Sequence, residues 1–147
     1  MKIRIADKFD IPKLREMLLH YLGSNPVENL KITDETTGMK ILTTLIVGGG
    51  LALVSEKDNE ITGMLLALKH PFLWDQNQFV MTEIAYWVEP EHRHSTAGYR
   101  LLSKYVELCD ELRESEKIMN FTISQMEGQK LNYSKFGFKP IEHTWSA

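Results

Sequence analysis

Between Thr82 and Leu102 the chain concentrates groups suited to holding phosphate oxygens: Thr82-Glu83-Ile84-Ala85-Tyr86-Trp87-Val88-Glu89-Pro90-Glu91-His92-Arg93-His94-Ser95-Thr96-Ala97-Gly98-Tyr99-Arg100-Leu101-Leu102. Arg93 and Arg100 supply charge-assisted donors. Ser95 and Thr96 carry hydroxyls that can cap a helix, whose apolar positions follow as Leu101, Leu102, Tyr105, Leu108, Cys109 and Leu112. A helix that begins just past a strand end leaves backbone N–H groups unpaired and presents the positive end of its dipole, which suits an anion. Gly98 removes a side chain where a ligand could press close. His92 and His94, with Glu89 and Glu91 beside them, are metal-type residues, but no second cluster completes a tetrahedral set, so no metal is expected.

The elements that must position this stretch can be read from spacing. Ile84, Tyr86 and Val88 alternate with Glu83, Ala85 and Trp87, the period of a strand, which Pro90 should end. Upstream, Lys2 to Ala6 alternates as a short first strand. Asp10 should cap a helix carrying Ile11, Leu14, Met17, Leu18, Tyr21 and Leu22, stopped by Gly23. Ser24 to Lys31 reads as a loop. A second helix should start at Thr33-Asp34 and end at Gly48-Gly49-Gly50, a glycine run in the wrong order between helix and strand to cradle phosphate. Leu51–Ser55 and Ile61–Lys69 read as strands, and Pro71–Gln78 as a loop whose Phe72 and Trp74 either face a partner or lid the core. Ile118–Ser124 reads as a fifth strand, Gly128–Phe136 as a short helix, and Phe138–Trp145 as a last strand. The resulting order is β-α-α-β-β-β-α-β-α-β. Hairpins with one parallel crossover argue against a doubly wound dinucleotide fold.

Composition bounds the function. A chain of 147 residues with 43% apolar and 25% charged residues suits a single globular domain, residues 1–147. A net charge of −3 argues against a nucleic-acid surface. The single cysteine, Cys109, lies on an apolar helix stripe and fits a reducing compartment. No leader pattern and no run of roughly 18 apolar residues is present, so the reading is a cytoplasmic protein without a membrane partner.

Val88-Glu89-Pro90-Glu91-His92-Arg93, followed by a small-residue turn and Leu101-Leu102, resembles the acetyl-CoA-binding motif of the GNAT N-acyltransferase superfamily. In that motif, Arg/Gln-x-x-Gly-x-Gly/Ala, Arg93, Ala97 and Gly98 fall into register and Thr96 takes the place of the first glycine. The variant looks most like small GNAT-type proteins encoded by bacteriophages. A second segment, Leu131-Asn132-Tyr133-Ser134-Lys135-Phe136-Gly137-Phe138, resembles the family's Leu-Tyr-x-x-x-Gly-Phe. Met126 stands near where many members carry an asparagine. The resemblance implies an α/β (α+β) fold, a mixed, mostly antiparallel six-stranded sheet flanked by four helices. Many members carry one more strand at the end, here absent or supplied by a partner, and an open sheet edge fits a homodimer.

The resemblance also implies chemistry: transfer of acetyl from acetyl-CoA, as co-substrate, to a primary amine by direct attack, since no placed nucleophile suggests a covalent intermediate. Trp87 and Val88 would pair with the pantetheine. Arg93 and the backbone from His94 through Ser95, Thr96, Ala97 and Gly98 to Tyr99 would hold the pyrophosphate. Tyr133 is the candidate general acid, protonated at neutral pH; position alone favours a tyrosine covering the core beside Phe136, and it is the motif that points to the acid. Glu83 is the candidate base, directly or through a water, against the reading of a solvated strand carboxylate. Tyr21, Trp145 and the Ser24–Lys31 loop are acceptor-side candidates. The competing reading is a non-catalytic protein that keeps the fold and binds a host or virion protein.

Overall fold

The computed structural model describes residues 1–24, 32–126 and 131–147. Five strands form one sheet in the order β1 (Lys2–Ile5), β2 (Gly50–Lys57), β3 (Glu60–Phe72), β4 (Asp75–Val88) and β5 (Asn120–Thr122). Neighbours are antiparallel except β4 and β5, which are parallel and joined through α3 (Ala97–Glu114). The other α-helices are α1 (Ile11–Gly23) and α2 (Glu35–Thr44).

The inner strands are apolar on both faces because both faces are covered. Ala52, Val54, Met64, Leu66 and Ala85 pack on Leu14 and Met17 of α1 and Leu42 of α2. On the opposite face, Leu53, Leu65, Ala67 and Met81 meet Leu101, Leu102, Tyr105 and Cys109 of α3, the stripe expected from spacing. Burial pushes the Cys109 thiol up to about 12, so it packs as an inert hydrophobe.

The sheet is held at its start by one arginine. Arg4 donates two bonds to Asp10 (2.7 and 2.9 Å) and one to Glu56 (2.7 Å), joining β1, β2 and the start of α1. Asp10 was expected to cap α1; its carboxylate instead accepts from Arg4 and from Asp7 N–H, and makes no side-chain cap bond. Asp34 does cap α2, accepting from Thr36 N–H at 2.9 Å.

The expectation of six strands and four helices is corrected to five strands and three α-helices among the described residues. The helix expected over Gly128–Phe136 is, where described, a single 3₁₀ turn at Tyr133–Phe136, with Asn132 accepting from Ser134 N–H and Gly137 closing it at φ 89°. No strand forms over Phe138–Trp145, where Pro140 lacks a ladder donor. The stretch Pro71–Gln78, read as a loop, instead carries β3 and β4 to a tight turn at Leu73–Trp74.

Gly50 is required by close approach. A Cβ at Gly50 would lie 2.1 Å from the Ala67 carbonyl oxygen and 2.7 Å from a Leu45 methyl. Backbone cannot yield there as a side-chain tip would, so Gly50→Ala should destabilise the fold by about 3 kcal/mol or more, read as a lower urea midpoint.

Candidate active site

The site begins where two strands part. β5 pairs with β4 only over Val80–Thr82, and beyond Thr82 the outer edge of β4 has no strand neighbour among the described residues. A bulge lies just past this point: Ala67 faces Glu83 and Leu66 faces Ala85, leaving Ile84 without a partner on β3. The strict alternation expected through Glu83–Val88 is therefore broken at Ile84. Glu89 N–H donates to Thr62 O at 2.9 Å. Because hydrogen-bonded and non-bonded pairs alternate, Tyr86 and Val88 turn their N–H and C=O groups to the free edge, while the backbone of Trp87, expected beside Val88 on the pantetheine, faces Met64 of β3. An extended ligand carrying amides can add there as a strand would. Arg93 Nε already donates to Val88 O at 2.9 Å.

The next turn delivers the N-terminus of α3. Ser95 caps it, accepting from Ala97 N–H at 3.2 Å while its hydroxyl donates to His92 O at 2.6 Å. Thr96, also expected to cap, makes no such bond. Its φ of −84° is open to any L-residue, so threonine in place of the motif glycine carries no backbone strain. The Thr96 side chain is exposed, and the N–H groups of Thr96, Gly98 and Tyr99 donate to no protein group among the described residues. These free donors at the positive end of an 18-residue helix fit a pyrophosphate. Gly98 also packs closely on Tyr86: the Tyr86 hydroxyl donates to Gly98 O, and a Cβ at Gly98 would lie 3.2 Å from the Tyr86 hydroxyl oxygen. Ala97 is fully buried, and His94 is exposed.

Glu83 stands at the parting of β4 and β5. It is 5% exposed and accepts from Ser124 N–H at 3.2 Å. Burial raises its carboxyl to about 7, with the Ser124 bond opposing. Tyr133 opens the 3₁₀ turn and is half-buried, its ring 6.2 Å from that of Phe138. Burial, then the charge of Glu83, pushes its phenol up to about 12. Burial and the same carboxylate raise Tyr21, and burial, then Tyr133 and Glu83, raise Tyr86; Tyr105 is raised mainly by burial with Glu83 adding, so four phenols share the field of Glu83. Tyr99 meets Phe136 at 5.3 Å between ring centroids, linking the start of α3 to the Tyr133 turn.

At the mouth of the cradle, the Arg93 guanidinium lies 4.4 Å from the Trp87 ring centroid, and Tyr21 meets the same indole edge-on at 6.5 Å. The Trp87 indole N–H donates to Glu89 at 3.3 Å, and His20 Nδ1 lies 3.0 and 3.2 Å from the two Glu89 oxygens.

The structure thus gathers Glu83, Tyr133 and Tyr21 at one end of the free β4 edge and Trp87, Val88, Arg93 and the Ser95–Tyr99 backbone at the other. Trp145 is not gathered in; it is 91% exposed. The acceptor-side expectation for Ser24–Lys31 falls, beyond Ser24, outside the described residues. No group of three or more His, Cys, Asp or Glu positioned for a metal occurs among the described residues. Spacing did not reveal His20 or the role of Glu89; the only local sign was an acidic residue between Val88 and Pro90, where a strand ends. No described helix is long and apolar enough to cross a membrane.

Comparison with known proteins agrees with this geometry. Residues 16–138 match a family model described as the acetyltransferase (GNAT) family. A predicted acetyltransferase from Clostridium acetobutylicum, crystallised with acetyl-CoA, superposes with a TM-score of 0.74 at 17% identity, over 99% of this chain and 94% of that one. The ribosomal-protein-alanine N-acetyltransferase of Brucella melitensis biovar Abortus 2308 gives 0.68 at 12% identity, over 100% and 99%. An aminoglycoside acetyltransferase from an uncultured soil metagenomic sample, in complex with trehalose, gives 0.65 at 13% identity, over 99% and 95%. Among curated proteins, no sequence is significantly similar to this chain.

Proposed function

The chain belongs to the acetyltransferase (GNAT) family, and on that premise we propose how its residues carry out acetyl transfer from acetyl-CoA to a primary amine. Residues 1–147 act as one acyltransferase domain. The observation that carries the assignment of roles is Glu83: a buried carboxylate, raised to about 7, at the point where β4 and β5 part and in electrostatic reach of the Tyr133 phenol.

The free donors of Thr96, Gly98 and Tyr99, with Arg93 beside them, bind the pyrophosphate of acetyl-CoA. The edge groups of Tyr86 and Val88 align the pantetheine, for which Arg93 releases the Val88 carbonyl. Acetyl-CoA supplies an activated acetyl group as a thioester. Glu83 accepts the proton that the attacking amine loses, directly or through a water, and Tyr133 donates its phenolic proton to the departing sulfur. Proton count balances: one is taken from nitrogen and one is given to the thiolate, so Glu83 ends protonated and Tyr133 ionised until they re-equilibrate with solvent. Tyr21, beside Glu83 and Trp87, lines the acceptor side.

The Trp87-Val88-x-Pro90-x-x-Arg93 form of the motif supports a place among the small phage-encoded members. Among the described residues no strand pairs with the outer edge of β5, and Ile141 and Trp145 are 74% and 91% exposed; both support association as a homodimer.

Titration calorimetry tests the cofactor site. Acetyl-CoA should bind with micromolar affinity, and Arg93→Ala should weaken binding about tenfold (~1.4 kcal/mol). No heat at millimolar acetyl-CoA would overturn the assignment of the cradle.

A further inference from the structure

Glu89 is the residue through which the end of β4 touches everything around it. Its N–H donates to Thr62 O and its carbonyl accepts from His92 N–H, each at 2.9 Å, so its backbone is tied both to β3 and to the turn that leads into the cradle. Its side chain is 9% exposed. A carboxylate so buried needs donors, and it has two: His20 from the last turns of α1 and Trp87 from its own strand. An ionised carboxylate only accepts, so His20 Nδ1 carries a hydrogen whatever the charge of the ring, and the imidazole orientation is set. With its indole N–H held, Trp87 offers a fixed ring face to Arg93. An exposed arginine otherwise loses considerable rotamer freedom when it engages a ligand. Here the stack on Trp87 precedes the ligand, and only the bond from Arg93 Nε to the Val88 carbonyl is given up to it.

We propose that Glu89 and His20 are positioning residues for the cofactor site: they lock the Trp87 indole against which Arg93 stacks, and so hold the guanidinium at the mouth of the α3 cradle. This rests on the reading of Arg93 and the α3 N-terminus as the pyrophosphate site. Glu89 and His20 act through Trp87 and Arg93. Because His20 belongs to α1, the acceptor-side helix and the cofactor mouth share one anchor.

The test is acetyl-CoA titration and steady-state kinetics on wild type, Glu89→Ala, Glu89→Gln and His20→Ala, with each alanine variant also made in the Arg93→Ala background. Glu89→Ala and His20→Ala should each raise the Kd about fivefold to tenfold with kcat within about twofold of wild type. Glu89→Gln should recover most of the affinity, since its amide oxygen still accepts from Trp87 Nε1 and His20 Nδ1. In the Arg93→Ala background the alanine substitutions should add less than about twofold, because the lock acts through that residue. The Trp87 indole N–H resonance, read without ligand, should shift in both alanine variants while those of Trp74 and Trp145 stay. Fully additive losses in the Arg93→Ala background, a fall in kcat at unchanged Kd, or an unmoved Trp87 resonance would overturn the proposal. His20→Ala, at a side chain 47% exposed, keeps the test decisive if Glu89→Ala does not fold. A wild type that binds no acetyl-CoA overturns the cofactor reading instead, and the resonance comparison then decides the lock on its own.

Discussion

Tyr133→Phe should lower kcat by about 10²- to 10⁴-fold while leaving the Kd for acetyl-CoA unchanged, the pattern of a lost proton donor. No described protein group accepts the Tyr133 hydroxyl proton, so that proton is available to a departing sulfur. With its phenol pushed up to about 12, Tyr133 stays protonated throughout the working pH range, and its own titration should leave no mark on the profile below that value. Phenylalanine keeps the ring against Phe138, so the melting temperature should move little. Stopped-flow kinetics with a saturating amine, beside calorimetry with acetyl-CoA, separates the two effects. Wild-type turnover by this variant would remove Tyr133 from the chemistry.

Glu83→Gln carries the second large effect. In the wild type, kcat/KM should rise about tenfold per pH unit up to about 7 and then level off, as the buried carboxyl loses its proton and becomes a base. The glutamine variant should lose about 10²-fold or more at pH 8, and the acidic limb with it. Stability should move the other way. The folded carboxyl, at about 7, lies above its ordinary 4.5, so between these values the native state keeps a proton that the unfolded chain has released. Stability from this group is whole below 4.5, falls as pH rises towards 7, and stays low above it. At 1.36 kcal/mol per pH unit the loss is on the order of 3 kcal/mol. Glutamine carries no such charge, so Glu83→Gln should melt higher than wild type at pH 8 and close to it at pH 4. A variant that is less stable than wild type at pH 8 would show that the Glu83 charge is not held at a cost. Loss of activity joined to gain of stability is the signature of a group kept for function.

How much of this was legible depends on the range of the interaction involved. The start of α3 was legible because a cap, a turn and an apolar stripe lie within a few residues of one another: Ser95, Gly98, Leu101, Leu102, Tyr105 and Cys109 took their expected places. The break at Ile84 was not, because a bulge is defined by the residues opposite it on β3, and nothing in Glu83–Val88 itself announces one. The contact of Gly98 with the Tyr86 hydroxyl was not legible either, because that partner lies twelve residues back in the chain. The stretch from Pro71 to Gln78 misled because proline, asparagine and aspartate are turn residues, yet the paired strands β3 and β4 reach past the rest of the sheet and leave only Leu73–Trp74 to turn. The final strand misled in the opposite sense: Phe138 to Trp145 has apolar residues enough, but Pro140 interrupts the ladder and no strand among the described residues receives it.

The sequence by itself determined the strand–turn–helix that offers free N–H groups to an anion, the apolar stripes of the helices, and the residue types at Glu83, Arg93 and Tyr133. These follow from periodicity and capping, which act over one or two turns of chain. Tertiary structure alone decided that β4 and β5 part at Thr82, that Glu83 is buried there with Tyr133 in its field, and that Glu89 meets His20 across 69 residues of sequence. The physical reason is burial. A carboxylate becomes a base near neutrality, or an anchor for an indole and an imidazole, only when distant segments close over it and exclude water.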